Sequence, residues 1–122
     1  MARILIIDDH GPFRESLRDM LESAGYEVIE AINGQEGIDK YKEEPTDLVI
    51  IDILIPVKNG FVTIEELKKD FPDVKIIAMS GGSFGKPKGS LLSTAKYLTG
   101  IQHTFIKPFE MDEMLKAVEA LV

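Results

Sequence analysis

The sequence predicts a doubly wound α/β fold, a five-stranded parallel sheet with helices on both faces. Three observations carry that expectation. Five short runs rich in Ile and Val recur along the chain, each bounded by polar or turn residues. Segments with helical spacing separate them, so a β-α unit repeats five times. The first, third and fourth runs are almost continuously apolar, as central strands covered on both faces must be.

The first strand is RILIID from Arg3, and the helix after it carries Phe13, Leu17, Met20, Leu21 and Ala24 on one apolar stripe. Pro12 suits its first turn and Gly25 its stop. The second strand, EVIEAI from Glu27, holds Glu30 between apolar residues and fits a sheet edge. A short helix over Gln35 to Lys42 follows Asn33-Gly34. The third strand is DLVIID from Asp47, followed by a helix marked by Phe61, Ile64, Leu67 and Phe71 and closed by Pro72. KIIAMS from Lys75 is the fourth strand. Leu91, Ala95 and Leu98 mark a fourth helix, TFIKP from Thr104 a fifth strand, and Met111, Leu115, Val118 and Val122 a fifth helix. The one long irregular stretch is GGSFGKPKGS from Gly81.

At 122 residues the chain suits one domain that buries a core without staples. It has no cysteine, which excludes disulfides, thiolate chemistry and cysteine zinc sites. Its two histidines, His10 and His103, lie far apart and read as ordinary loop or surface residues. A net charge of −7 argues against direct binding of nucleic acid, whose phosphates demand basic surface. No apolar run approaches the ~20 residues needed to span a bilayer, and the N-terminus lacks a signal-peptide layout. A soluble cytoplasmic domain is the expectation.

Chemistry gathers where the strands end. The first ends in Asp8-Asp9, the third in Asp52, the fourth in Ser80 and the fifth in Lys107-Pro108. Open α/β sheets bind ligands at the carboxyl ends of their strands, so these residues would converge on one edge. Taken singly, such an Asp is an ordinary helix cap, Lys107 a solvated lysine and Ser80 a loop cap. Three carboxylates together disfavour one another's ionisation, and a divalent cation resolves the conflict. An all-oxygen set favours Mg2+, Mn2+ or Ca2+ over zinc. A lysine and a hydroxyl are superfluous for a cation alone but suit an anion rich in oxygens. The set describes phosphoryl transfer onto Asp52.

The chain resembles a response-regulator receiver domain of two-component signalling. The resemblance rests on Asp8-Asp9 after the first strand, DILIPVKNG after the third, Ser80 after the fourth, and Lys107-Pro108-Phe109. It covers residues 1–122 and implies a flavodoxin-like (βα)5 fold with strand order 2-1-3-4-5. It implies that Asp52 accepts the phosphoryl group from a histidine kinase or phosphotransfer protein. Asp9 and Asp52 would hold Mg2+ (or Mn2+) directly, Asp8 partly through water, and the Leu54 carbonyl would be a further ligand. Lys107 would contact the acyl phosphate and Ser80 would close on one of its oxygens. Pro56 and Gly60 match the turn after the acceptor, and Pro108 matches a proline that similar domains place after a cis bond. Only self-phosphorylation and slow autodephosphorylation would be expected, not metabolic turnover. With no output domain in the chain, the signal would leave through another protein, by the face of the fourth helix, fifth strand and fifth helix, unless the chain is part of a larger regulator.

Three features depart from the family pattern. Thr104 stands where an aromatic switch residue is usual, and Phe105, one place later, would point to the opposite face. The stretch from Ser80 to Lys107 is longer than usual, and the excess falls in GGSFGKPKGS, where a phosphorylation-gated loop competes with a passive surface insertion; the first is favoured because the loop begins beside Ser80. Leu54 and Gly82 flank the acceptor where many relatives are polar, and an apolar Leu54 is expected to disfavour attacking water. Two other readings compete. A haloacid-dehalogenase-type phosphatase needs a second Asp where Leu54 stands. A flavodoxin-like mononucleotide binder needs a phosphate-cradling first loop where Asp8-Asp9 would repel the ligand.

Overall fold

The computed structural model describes residues 1–55, 58–80 and 101–122. Its strands are β1 (Arg3–Ile7), β2 (Glu27–Ala31), β3 (Leu48–Asp52), β4 (Ile76–Ser80) and β5 (His103–Ile106). They form one parallel sheet in the order β2-β1-β3-β4-β5. Helices α1 (Gly11–Ser23), α2 (Gly34–Glu43), α3 (Gly60–Asp70) and α4 (Met111–Leu121) cover its two faces. The predicted helix at Leu91, Ala95 and Leu98, the glycine-rich stretch, Gly82 and Pro56 lie outside the described residues.

Strand alternation divides the core in two. Leu5, Ile7, Val49, Ile51, Ile76 and Ala78 face α2 and α3, where Ile38, Tyr41, Ile64 and Leu67 meet them. Ile4, Ile6, Leu48, Ile50, Ile77 and Met79 face α1 and α4, against Leu17, Leu21, Met114 and Val118. Every residue of β3 and β4 is buried, which is why those runs contain no polar alternation. β2 lies on an edge, as Glu30 predicts.

Local chemistry sets the helix ends. Gly25, at φ 96°, follows the α1 C-cap Ala24. Its N–H donates to Glu22 O and that of Tyr26 to Leu21 O, the pairing of a Schellman stop. Ala24 therefore terminates the helix as an exposed residue, and the stripe predicted to include it ends at Leu21. Asn33 and Asn59 cap α2 and α3 by accepting from Glu36 N and Val62 N. In α4 the fully covered residues are Met114 and Val118, with Ala117 beside them, while Leu115 is half-buried and Val122 exposed. The predicted stripe holds at Val118, with Met111 and Leu115 packed on the same cluster, and Met114 and Ala117 widen it. Among the described residues no helix is long and apolar enough to cross a membrane.

Candidate functional site

Side-chain parity brings the site together before any contact is considered. Asp8 continues the Ile4-Ile6 row of β1, Asp52 the Leu48-Ile50 row of β3, and Lys107 the row of Phe105 in β5. All three rows belong to the sheet face covered by α1 and α4. Lys107 Nζ donates to Asp8 Oδ2 at 2.7 Å and to Asp52 Oδ2 at 2.9 Å, joining residues from the two ends of the chain. The Phe13 ring of α1 closes a third side, its centroid 4.1 Å from the ammonium.

The remaining carboxylate oxygens are held by backbone. Asp8 Oδ1 accepts from His10 N at 2.9 Å, and Asp52 Oδ1 from Leu54 N at 2.8 Å. Asp8 is fully buried and Asp52 is 7% exposed. Burial pushes the Asp52 carboxyl above its usual range, and the bonds from Lys107 and Leu54 only partly oppose this. Burial also pulls the Lys107 ammonium down, but its bonds to Asp8 and Asp52 outweigh that and leave it raised.

Asp9 is exposed, and its carboxylate makes no hydrogen bond or ion pair with the described residues. Oxygens of Asp8, Asp9 and Asp52 lie within 4.8 Å of one another. This donor set fits a hard divalent cation: three carboxylates, no nitrogen or sulfur, and one of them unpartnered. Ser80 is buried at the end of β4, and its carbonyl accepts from Lys107 N at 2.7 Å, so the lysine is seated on the strand that carries the hydroxyl. The Lys107-Pro108 bond is cis. Leu54 packs its half-buried side chain on the core cluster of the α2/α3 face.

Two residues were not read from sequence as part of this region. His10 is the N-cap of α1, its Nδ1 accepting from Phe13 N at 3.2 Å. The signal was available, since Pro12 at the second helical position marks the cap two residues earlier. Phe13 is half-buried in the apolar stripe and serves the lysine as well as the core. The opposite facing of Thr104 and Phe105 follows from register, since they pair with Ala78 and Met79 on different faces. Phe105 joins a row of rings, 4.8 Å from His103 and 4.9 Å from Phe109, with Phe13 5.7 Å beyond Phe109.

Fold and site together define a signalling domain of the two-component kind. The chain belongs to the response regulator receiver domain family, whose model matches residues 4–119. It is 38% identical to the chemotaxis protein CheY of Thermotoga maritima over 117 residues, 95% of this chain and 93% of that protein. It is 31% identical to sporulation initiation phosphotransferase F of Bacillus subtilis, covering 96% of this chain and 90% of the relative. The response regulator TrrA of Thermotoga maritima, solved in complex with Mg(2+)-BeF, matches with a TM-score of 0.84 and 34% identity over 100% of both chains. The phosphatase and mononucleotide-binder readings gain no support from the site. Leu54 holds the place of the second catalytic Asp, and a lysine-bridged acid pair that of a phosphate cradle.

Proposed function

We propose that residues 1–122 act as a phosphoryl-accepting receiver in which Asp52 takes the group from a histidine kinase or phosphotransfer protein. The observation that carries this is the Lys107 ammonium bridging Asp8 and Asp52 beside the unpartnered Asp9 carboxylate. Leu54 N–H and Lys107 hold the two oxygens of Asp52, so the nucleophile is oriented before a donor arrives. A new bond forms from an Asp52 oxygen to phosphorus as the donor's P–N bond breaks. Lys107 then keeps Asp8 and turns to a phosphoryl oxygen. The Ser80 hydroxyl closes on another.

Asp9 and Asp52 would hold Mg2+ or Mn2+ directly, Asp8 partly through water, and the Leu54 carbonyl would complete the protein's share. A bound cation supplies charge neutralisation at the phosphoryl oxygens. The chain's role is cytoplasmic signalling: it passes its state to an output protein through the face of β5, α4 and the predicted helix at Leu91 to Leu98. With Thr104 at the usual switch position, Phe105 lies on the same strand row as Lys107, its ring 4.8 Å from His103 and 4.9 Å from Phe109. Incubation with acetyl phosphate and Mg2+ tests the reading by intact mass. Wild type is expected to gain one phosphoryl group and Asp52→Asn none. No gain in wild type, or a gain that survives Asp52→Asn, contradicts it.

Two further outcomes follow. Leu54→Asn is expected to speed loss of the phosphoryl group several-fold, since it exchanges an apolar neighbour of the acceptor for one that can orient water. Phosphate release after removal of the donor measures this, and equal rates refute the role. In cation-free solution, Asp52→Asn is expected to stabilise the fold at neutral pH. Folding raises the Asp52 pKa, so its contribution is full below the ordinary carboxylate value of ~3.8 and is lost as pH rises through the folded value. Asn has no such loss and retains an acceptor for Leu54 N–H. Urea titrations in EDTA should show the variant's advantage growing from about pH 4 to neutrality.

A further inference from the structure

The Asp8 carbonyl receives a side chain where the sheet stops. Asp8 N still donates to Ala31 O at 3.0 Å, but β2 ends at Ala31. The Asp8 carbonyl instead accepts from Arg14 Nη1 of α1 at 2.9 Å. Arg14 Nε in turn donates to Glu30 Oε1 at 2.9 Å, so one guanidinium spans the end of β1 and the edge strand. Glu30 is itself pinned. Arg18 Nη1 donates to its Oε2 at 3.1 Å, and Lys40 Nζ of α2 donates to its carbonyl at 2.5 Å. Arg14 is 16% exposed, which takes this fork out of the range of surface ion pairs that contribute almost nothing.

We propose that Arg14, anchored by Glu30, is a positioning residue for the acidic cluster; the inference rests on the reading that this cluster holds a divalent cation. The Asp8 carbonyl and the Asp9 nitrogen belong to one planar peptide unit. Fixing that carbonyl fixes the plane from which Asp9 departs. Asp8 is already secured through both carboxylate oxygens, by His10 N and by Lys107. Asp9 has no such contact, so the orientation of its carboxylate toward Asp8 and Asp52 depends on the backbone that Arg14 holds. Partners of this kind, one step removed from a metal, alter affinity because they set where the ligand points.

The test is Mn2+ binding followed by the EPR signal of the free ion, on wild type, Arg14→Ala, Arg14→Lys and Glu30→Gln. Circular dichroism first confirms that each protein is folded at the temperature used. Arg14→Ala is expected to weaken binding about tenfold. Arg14→Lys should be weakened similarly, because a single ammonium cannot reach both Asp8 O and Glu30 as the fork does. Glu30→Gln keeps an oxygen for Arg14 Nε and should bind nearly as wild type. Should Arg14→Ala fail to fold, Arg14→Lys decides the matter. Folded Arg14 variants that bind Mn2+ as wild type does overturn the proposal while leaving the cation site standing. Absence of Mn2+ binding by wild type refutes the site itself, and the positioning role with it.

Discussion

Replacing Lys107 by Ala is expected to destabilise the cation-free protein by about 3 kcal/mol at neutral pH. The ammonium lies between a fully buried carboxylate and one that is 7% exposed, and neither has another cation within bonding distance among the described residues. Removing it leaves two like charges facing each other out of water, a far larger penalty than the ~0.5 kcal/mol typical of a surface lysine. The loss should be partly reversed by millimolar Mg2+, which can neutralise the same oxygens, and in double mutation with Asp52→Asn. Urea unfolding with and without the cation measures both effects. A change within ~0.5 kcal/mol would show that the bridge contributes nothing to folding.

Gly60→Ala is expected to cost about 3 kcal/mol, and in this case Mg2+ should recover none of it. A Cβ on Gly60 would run into the Cα of Ile53, with Ile53 Cβ at 2.8 Å and its carbonyl carbon at 3.0 Å. These are backbone and buried core atoms beside Asp52, and they cannot swing aside as the end of a long side chain could. Gly60 N–H also donates to Ile53 O at 3.0 Å, so the loop after the acceptor closes tightly on α3 at this point. Thermal unfolding, with midpoint compared across Mg2+ concentrations, separates this packing defect from the electrostatic one at Lys107.

Much of this was legible in the residues because the strands are so nearly pure. Leu48 to Ile51 and Ile76 to Met79 admit no solvent-facing position, and only a sheet covered on both faces removes them all from water. Glu30 marked the edge for the converse reason. The placement of Asp8 and Asp9 differs. By parity Asp8 prolongs the Ile4-Ile6 row onto the α1/α4 face, where it is buried, whereas Asp9 is exposed. The same parity, applied to Asp52 and Lys107, would have identified the bridge. The Arg14-Glu30 fork was hidden because each residue reads as a solvated charge. Only the pairing of β1 with β2 and the path of α1 bring them together. Ala117 of α4 stayed hidden for a related reason, since it is buried by position rather than by hydrophobicity.

The most direct measurement is chemical trapping of the acceptor. The protein is treated with acetyl phosphate and Mg2+, reduced with borohydride, digested, and sequenced by mass spectrometry. Borohydride converts an aspartyl phosphate to homoserine, so the label reports the residue rather than the mere presence of phosphate. Homoserine is expected at position 52, and none there when Mg2+ is withheld. Homoserine at position 8 or 9, or none anywhere in a protein that binds the cation, would contradict that expectation.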